Sequence, residues 1–158
     1  MLEQTLAGVC RTRSPRSMQR GLCETAAMRL FDDPDLLRGL LEGLPEALVV
    51  ADTGGVIRGW NAAAARLFGH SREEAVGASL DLILPERFKP AHDAGFARAV
   101  ATGELRVGGR VMRTRAVHKS GGKLYVDFSF ALLKDAQGQV VAVYATGREA
   151  PPAPAAAA

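Results

Sequence analysis

Ala47-Leu48-Val49-Val50-Ala51-Asp52-Thr53-Gly54-Gly55-Val56-Ile57-Arg58-Gly59-Trp60-Asn61 opens the well-patterned part of the chain and decides its architecture. The apolar run Ala47–Asp52 reads as a strand, Thr53-Gly54-Gly55 turns it back, and Val56–Trp60 reads as its antiparallel partner. Asn61 is a side-chain cap for a helix over Ala62–Phe68, and Gly69 is its stop. His70-Ser71-Arg72-Glu73-Glu74 starts another helix, because Ser71 followed three residues later by Glu74 is a capping box. Gly77 ends it, and Ser79–Leu84 leads onward.

Three further strands lie downstream. Val107–His118 carries Gly108, Arg110, Met112, Thr114 and Ala116 on one parity. After the turn Lys119-Ser120-Gly121-Gly122, Lys123–Leu133 places Leu124, Val126, Phe128, Phe130 and Leu132 on one apolar face. Lys134-Asp135-Ala136-Gln137-Gly138 is the next hairpin turn, and Gln139–Thr146 is the last strand. Two strands, several short helices and three strands make an α+β domain: a five-stranded antiparallel sheet with short helices covering one face.

Outward from this block the signals weaken. Residues 1–33 are basic and poorly periodic and read as a flexible segment without an assigned role; both cysteines, Cys10 and Cys23, fall there and form no disulfide framework or CxxC motif. Asp33-Pro34 caps a flanking helix over 34–45, striped by Leu36, Leu37, Leu40, Leu41 and Leu44, which packs on its own domain or pairs with a second copy. The main domain is expected over 46–149, followed by a Pro/Ala-rich tail over 150–158. No run approaches the ~18 apolar residues of a membrane span, and no secretory pattern opens the chain, so a cytoplasmic location is expected. A net charge of +3 without interleaved aromatics or a recognition helix argues against a nucleic-acid surface.

The chemistry-bearing stretch is Pro85–Glu104, read as one helix with Pro90 in its first turn and Gly103 just past its end. Phe88, His92, Phe96, Ala99 and Gly103 recur at spacings of three and four, so they share a face; Arg87, Asp93, Arg98 and Ala101 fall elsewhere. A histidine inside such a stripe faces either the core or something held in the core. No second His, Cys or carboxylate stands at zinc spacing on this helix. One histidine among apolar neighbours is what a haem iron asks of a protein.

The order of elements, with Trp60-Asn61, Leu67-Phe68-Gly69, Arg72-Glu73-Glu74-Ala75-Val76-Gly77 and the turns His118-Lys119-Ser120-Gly121 and Asp135-Ala136-Gln137-Gly138, resembles a PAS domain. Pro85-Glu86, His92-Asp93, Arg98 and Ala101-Thr102-Gly103-Glu104 are similar to the haem PAS domains of the FixL and Dos type. That resemblance implies His92 as proximal ligand of haem b, Arg98 and Arg106 near the propionates, and Val107, Phe128 and Phe130 at distal-pocket positions. Leu84, Ile83 and Phe96 join the apolar surroundings. Met112 stands where FixL-type proteins carry an arginine that turns toward bound oxygen, and Arg110 where Dos-type proteins carry a ligating methionine. A related carbon-monoxide-sensing family places a sulfur ligand at the position of Met112. The resemblance therefore makes Met112 a candidate sixth ligand, the alternative being a polarizable core filler. Arg110 stabilises bound gas, contacts a propionate or is solvated.

The expected function is detection of O2, CO or redox state through ligand exchange at haem, in a homodimer that signals to an unidentified output protein or domain. The alternative is a PAS interaction or small-ligand module without haem. No nucleophile–base pair, phosphate loop or paired carboxylates argue for an enzyme.

Overall fold

The computed structural model describes residues 32–152. The expectations for residues 1–31, including Cys10 and Cys23, and for the last six residues of the tail lie outside the described residues.

Helix α1 (Pro34–Gly43) begins at Asp33, whose Oδ1 accepts the N–H groups of Asp35 and Leu36 at 2.9 and 3.2 Å. Of its leucines, Leu36, Leu40 and Leu41 are exposed. Strands β1 (Ala47–Asp52) and β2 (Ile57–Trp60) form the expected hairpin. Helices α2 (Ala62–Phe68) and α3 (Arg72–Ala75) follow, with the Asn61 cap, the left-handed Gly69 and the Ser71–Glu74 capping box all present. Two 3-10 turns, Leu80–Leu82 and Glu86–Phe88, precede α4 (Lys89–Thr102), which ends on left-handed Gly103. The expected helix over Pro85–Glu104 is thus a 3-10 turn followed by an α-helix. Strands β3 (Met112–Val117), β4 (Lys123–Lys134) and β5 (Val140–Glu149) complete the chain.

All five strands form one antiparallel sheet in the order β2-β1-β5-β4-β3. The last strand therefore lies in the centre, paired with the first, and β3 is an edge. The apolar parity of β4 faces the helices: Val126 is fully buried and Phe128 nearly so. Trp60 from β2 and Phe68 from α2 meet in the core, with ring centroids 5.3 Å apart. Each phenylalanine buried this way contributes about 1.5–3 kcal/mol.

Two strand boundaries differ from expectation by more than one residue, for local reasons. Strand β3 begins at Met112, not Val107. Gly108 N–H donates to Leu105 O at 3.2 Å and Arg110 N–H to Val107 O at 3.0 Å, so the segment turns, and Gly109 takes the φ of +75° that glycine tolerates. Arg110 consequently does not share a strand face with Met112, as the alternation had suggested. Strand β5 continues to Glu149, three residues further than expected. Gly147 pairs with Phe128, Arg148 with Asp127 and Glu149 with Val126. Ala150, expected in the tail, is buried, and its N–H donates to Tyr125 O at 2.8 Å.

Candidate functional site

Between α4 and the inner face of the sheet lies a cavity of about 1160 Å³. Ordinary small-molecule sites measure ~300–1,000 Å³, so this one has room for a large ligand. The walls are apolar. Strand β4 contributes Phe128 and Phe130, with ring centroids 5.5 Å apart, and Ile83 and Leu84 close one end ahead of α4. His92, Phe96 and Ala99 of α4, with Phe88 from the 3-10 turn before it, line the space as their spacing predicted, while Gly103 of the same stripe does not. Val107 reaches it from the turn before β3, and Met112 from the first residue of that edge strand.

The His92 imidazole is stacked on Phe96, with centroids 5.8 Å apart, and its side chain is 30% exposed. Its Nδ1 lies 3.4 Å from Asp93 Oδ1. A carboxylate beside one ring nitrogen directs the other toward a ligand, the pattern seen when imidazole binds a metal.

Charge around the cavity has one sign. Arg87, Arg98, Arg106, Arg113 and Arg115 line it, and no aspartate or glutamate does so among the described residues. Arg113 is already committed, forming a two-pronged pair with Asp127 at 2.8 and 2.8 Å that holds the Asp127 carboxyl below its ordinary range. Arg115 lies over the Tyr125 ring at 5.3 Å. Arg98 and Arg106 are exposed at the cavity. Such a mouth favours an apolar ligand carrying carboxylates, which forked guanidinium donors bind well.

The structure brings together nine of the residues singled out from sequence: Leu84, His92, Phe96, Arg98, Arg106, Val107, Met112, Phe128 and Phe130. Arg110 is not among the residues lining the cavity and is exposed. Its turn conformation carries it away. Met112 lines the cavity but is 36% exposed, as its place on an edge strand requires. Arg87 was missed. It precedes α4 in a 3-10 turn, where a 3.6-residue projection no longer tells which way a side chain points. Arg98 lies off the apolar stripe yet lines the space, because a long stem lets its charged head reach around the helix.

A family model described as the PAS fold matches residues 41–150. An uncharacterised protein of Azorhizobium caulinodans is 34% identical over 107 residues, which are 67% of this chain and 13% of that protein. Sensor protein FixL of Bradyrhizobium diazoefficiens is 37% identical over 68 residues, 43% of this chain and 14% of FixL. Oxygen sensor protein DosP of Escherichia coli is 31% identical over 81 residues, 51% of this chain and 10% of DosP. The chain thus spans about a seventh or less of the length of these curated relatives. Among solved structures, the PAS domain of a protein from Colwellia psychrerythraea is similar in fold, with a TM-score of 0.64 at 21% identity, covering 73% of this chain and 95% of that one.

Proposed function

This chain belongs to the PAS fold family, and on that premise we propose that it is a sensor domain whose cavity takes haem b and whose signal is a change of ligand at the haem iron. The observation that carries the reading is the pairing of His92 with a large apolar cavity whose only charged lining residues among the described residues, apart from the histidine, are arginines. The similarity to FixL and DosP supports it.

The residues fit the group. His92, with Nδ1 beside Asp93, would hold the iron through Nε2. Arg98 and Arg106 pair with the propionate carboxylates, and Arg87 adds a third guanidinium to the same positive surroundings. Leu84, Val107, Phe128 and Phe130, with Phe96 beside His92, give the cavity apolar walls that would exclude water and limit oxidation of the metal. Met112 supplies a thioether from an edge strand, where a change in what its side chain touches costs little pairing elsewhere in the sheet. When bound, haem supplies an iron that accepts a diatomic gas, O2 or CO. Arg110, outside the cavity lining, takes no part.

Hemin titration of the full chain tests this. Expected are a Soret band at one equivalent, a further shift when the reduced protein meets carbon monoxide, and a changed spectrum in His92→Ala with the fold retained. An unaltered spectrum in His92→Ala sinks the ligand assignment; absence of any specific uptake sinks the haem reading.

A second reading rests on the exposed Leu36, Leu40 and Leu41 of α1. It makes the chain an interaction module that pairs with another copy through that helix and holds no haem. Sedimentation of the wild type against Leu36→Glu/Leu40→Glu decides it: a colourless dimer that becomes monomeric supports this reading.

A further inference from the structure

The inner row of the sheet reads Met112, Phe128, Gly147 across β3, β4 and β5, each in register with the next. Gly147 is not among the glycines with positive φ. Nothing in its backbone demands glycine, so the reason is space. A Cβ built at Gly147 would lie 2.6 and 2.7 Å from Cε1 and Cδ1 of Phe128 and 2.9 Å from Cγ1 of Val126. Real side chains do not approach that closely, so the Phe128 ring occupies the room that any residue with a side chain would need. The same ring stacks on Phe68, with centroids 6.4 Å apart and planes 11° from parallel. Phe68 and Val126 are both fully buried in a close-packed core that resists displacement. The remaining neighbours of the ring, Phe130 with its centroid 5.5 Å away and Met112 across the β3–β4 register, both line the cavity, so a displaced ring moves at the cavity's expense.

We propose that Gly147 is a positioning residue for the cavity: it gives the Phe128 ring a resting place against β5 and thereby keeps the cavity floor beside Met112 open. A side chain at 147 turns the ring onto that floor and closes the site to a large planar ligand. Gly147 does not itself line the cavity. Its effect passes entirely through Phe128. The inference concerns space and holds whichever ligand the cavity takes.

The test compares the full chain, Gly147→Ala, and Gly147→Ala/Phe128→Leu. In the ligand-free proteins, nuclear Overhauser contacts of the Phe128 ring should run to the Gly147 Hα protons in the wild type. In Gly147→Ala they should shift to the Met112 methyl group. Hemin affinity should fall by about tenfold or more in Gly147→Ala, a loss of about 1.4 kcal/mol, and return to within about threefold of wild type in the double variant. Phe128 contacts that do not move, or an affinity loss that Phe128→Leu does not restore, overturns the proposal. If the wild type takes up no hemin, the haem reading fails and the ring contacts alone decide this one. If Gly147→Ala does not fold, the double variant must; a double variant that also fails overturns the inference.

Discussion

Asn61 Oδ1 accepts the N–H of Leu48 at 2.9 Å and so ties the start of a helix to the first strand of the sheet. The same oxygen accepts the N–H of Ala64 at 2.9 Å, and Asn61 Nδ2 donates to Glu46 O at 2.9 Å and to Leu41 O at 3.2 Å. Only 3% of this residue is exposed, and no apolar substitute can satisfy those four groups. Asn61→Ala is therefore expected to cost about 3 kcal/mol, the sum of a lost cap and of buried backbone groups left without partners. Urea denaturation measures it. A loss below about 1 kcal/mol would mean that water replaces the amide.

Gly69 closes α2 at φ +78°, and a Cβ there would overlap Nε2 of the His118 imidazole. Gly69→Ala meets two penalties: the left-handed backbone, about 1–2 kcal/mol for a residue with a side chain, and displacement of the imidazole. Combining it with His118→Ala removes the second but not the first. Melting curves of the single and double variants should show partial recovery; complete recovery would show that the backbone geometry is unstrained.

Arg98 and Arg106 are expected to act on ligand charge more than on fold. Each exposed guanidinium contributes roughly 1 kcal/mol to a carboxylate-bearing ligand, so Arg98→Ala or Arg106→Ala should weaken hemin binding by about fivefold. The loss should shrink at high salt, since screening already weakens the wild-type contact. The Tm of the ligand-free protein should stay near that of wild type. A salt-independent loss would assign the effect to packing.

Acid should destabilise the protein in two stages. Burial pushes the His70 imidazole below its ordinary value of 6.5, with Glu74 opposing and Lys119 and His118 adding. The unfolded chain then takes up that proton more readily, so stability begins to fall as pH drops below 6.5. Arg148, Arg58, Lys119 and Arg113 respectively hold Glu46, Asp52, Glu74 and Asp127 below their ordinary carboxylate values, 4.5 for the glutamates and 3.8 for the aspartates. The stability these groups add is complete above those values and is lost as pH falls through their depressed range. Melting temperatures from pH 8 to pH 3 should show both stages, and His70→Gln should flatten the first. A single transition below pH 4.5 in the wild type would remove His70 from the account.

Much of this molecule is decided by neighbours within four residues. The Ser71–Glu74 capping box, the Asn61 cap, Pro90 in the first turn of α4 and Gly103 after it work through backbone groups close in the chain, so their effects are legible in the order of residues. The same holds for the alternation of β4, which carries Val126, Phe128 and Phe130 inward wherever the strand is placed. His92 and Phe96 face one way because they are one helical turn apart.

Other features belong to the tertiary structure because their causes are far apart in sequence. The side chain of Arg110 is carried outward by a turn that the Val107–His118 alternation does not announce. Arg87 reaches the cavity from a 3-10 turn, where helical periodicity does not apply. Strand β5 runs on through Gly147, where it pairs with Ala47 on one side and with Phe128, nineteen positions earlier, on the other, and the Phe128 ring fills the space beside the glycine. Local hydrogen bonding and periodicity set which face each element turns inward. How much room remains between those faces depends on side chains from different elements meeting, and that only the folded chain decides.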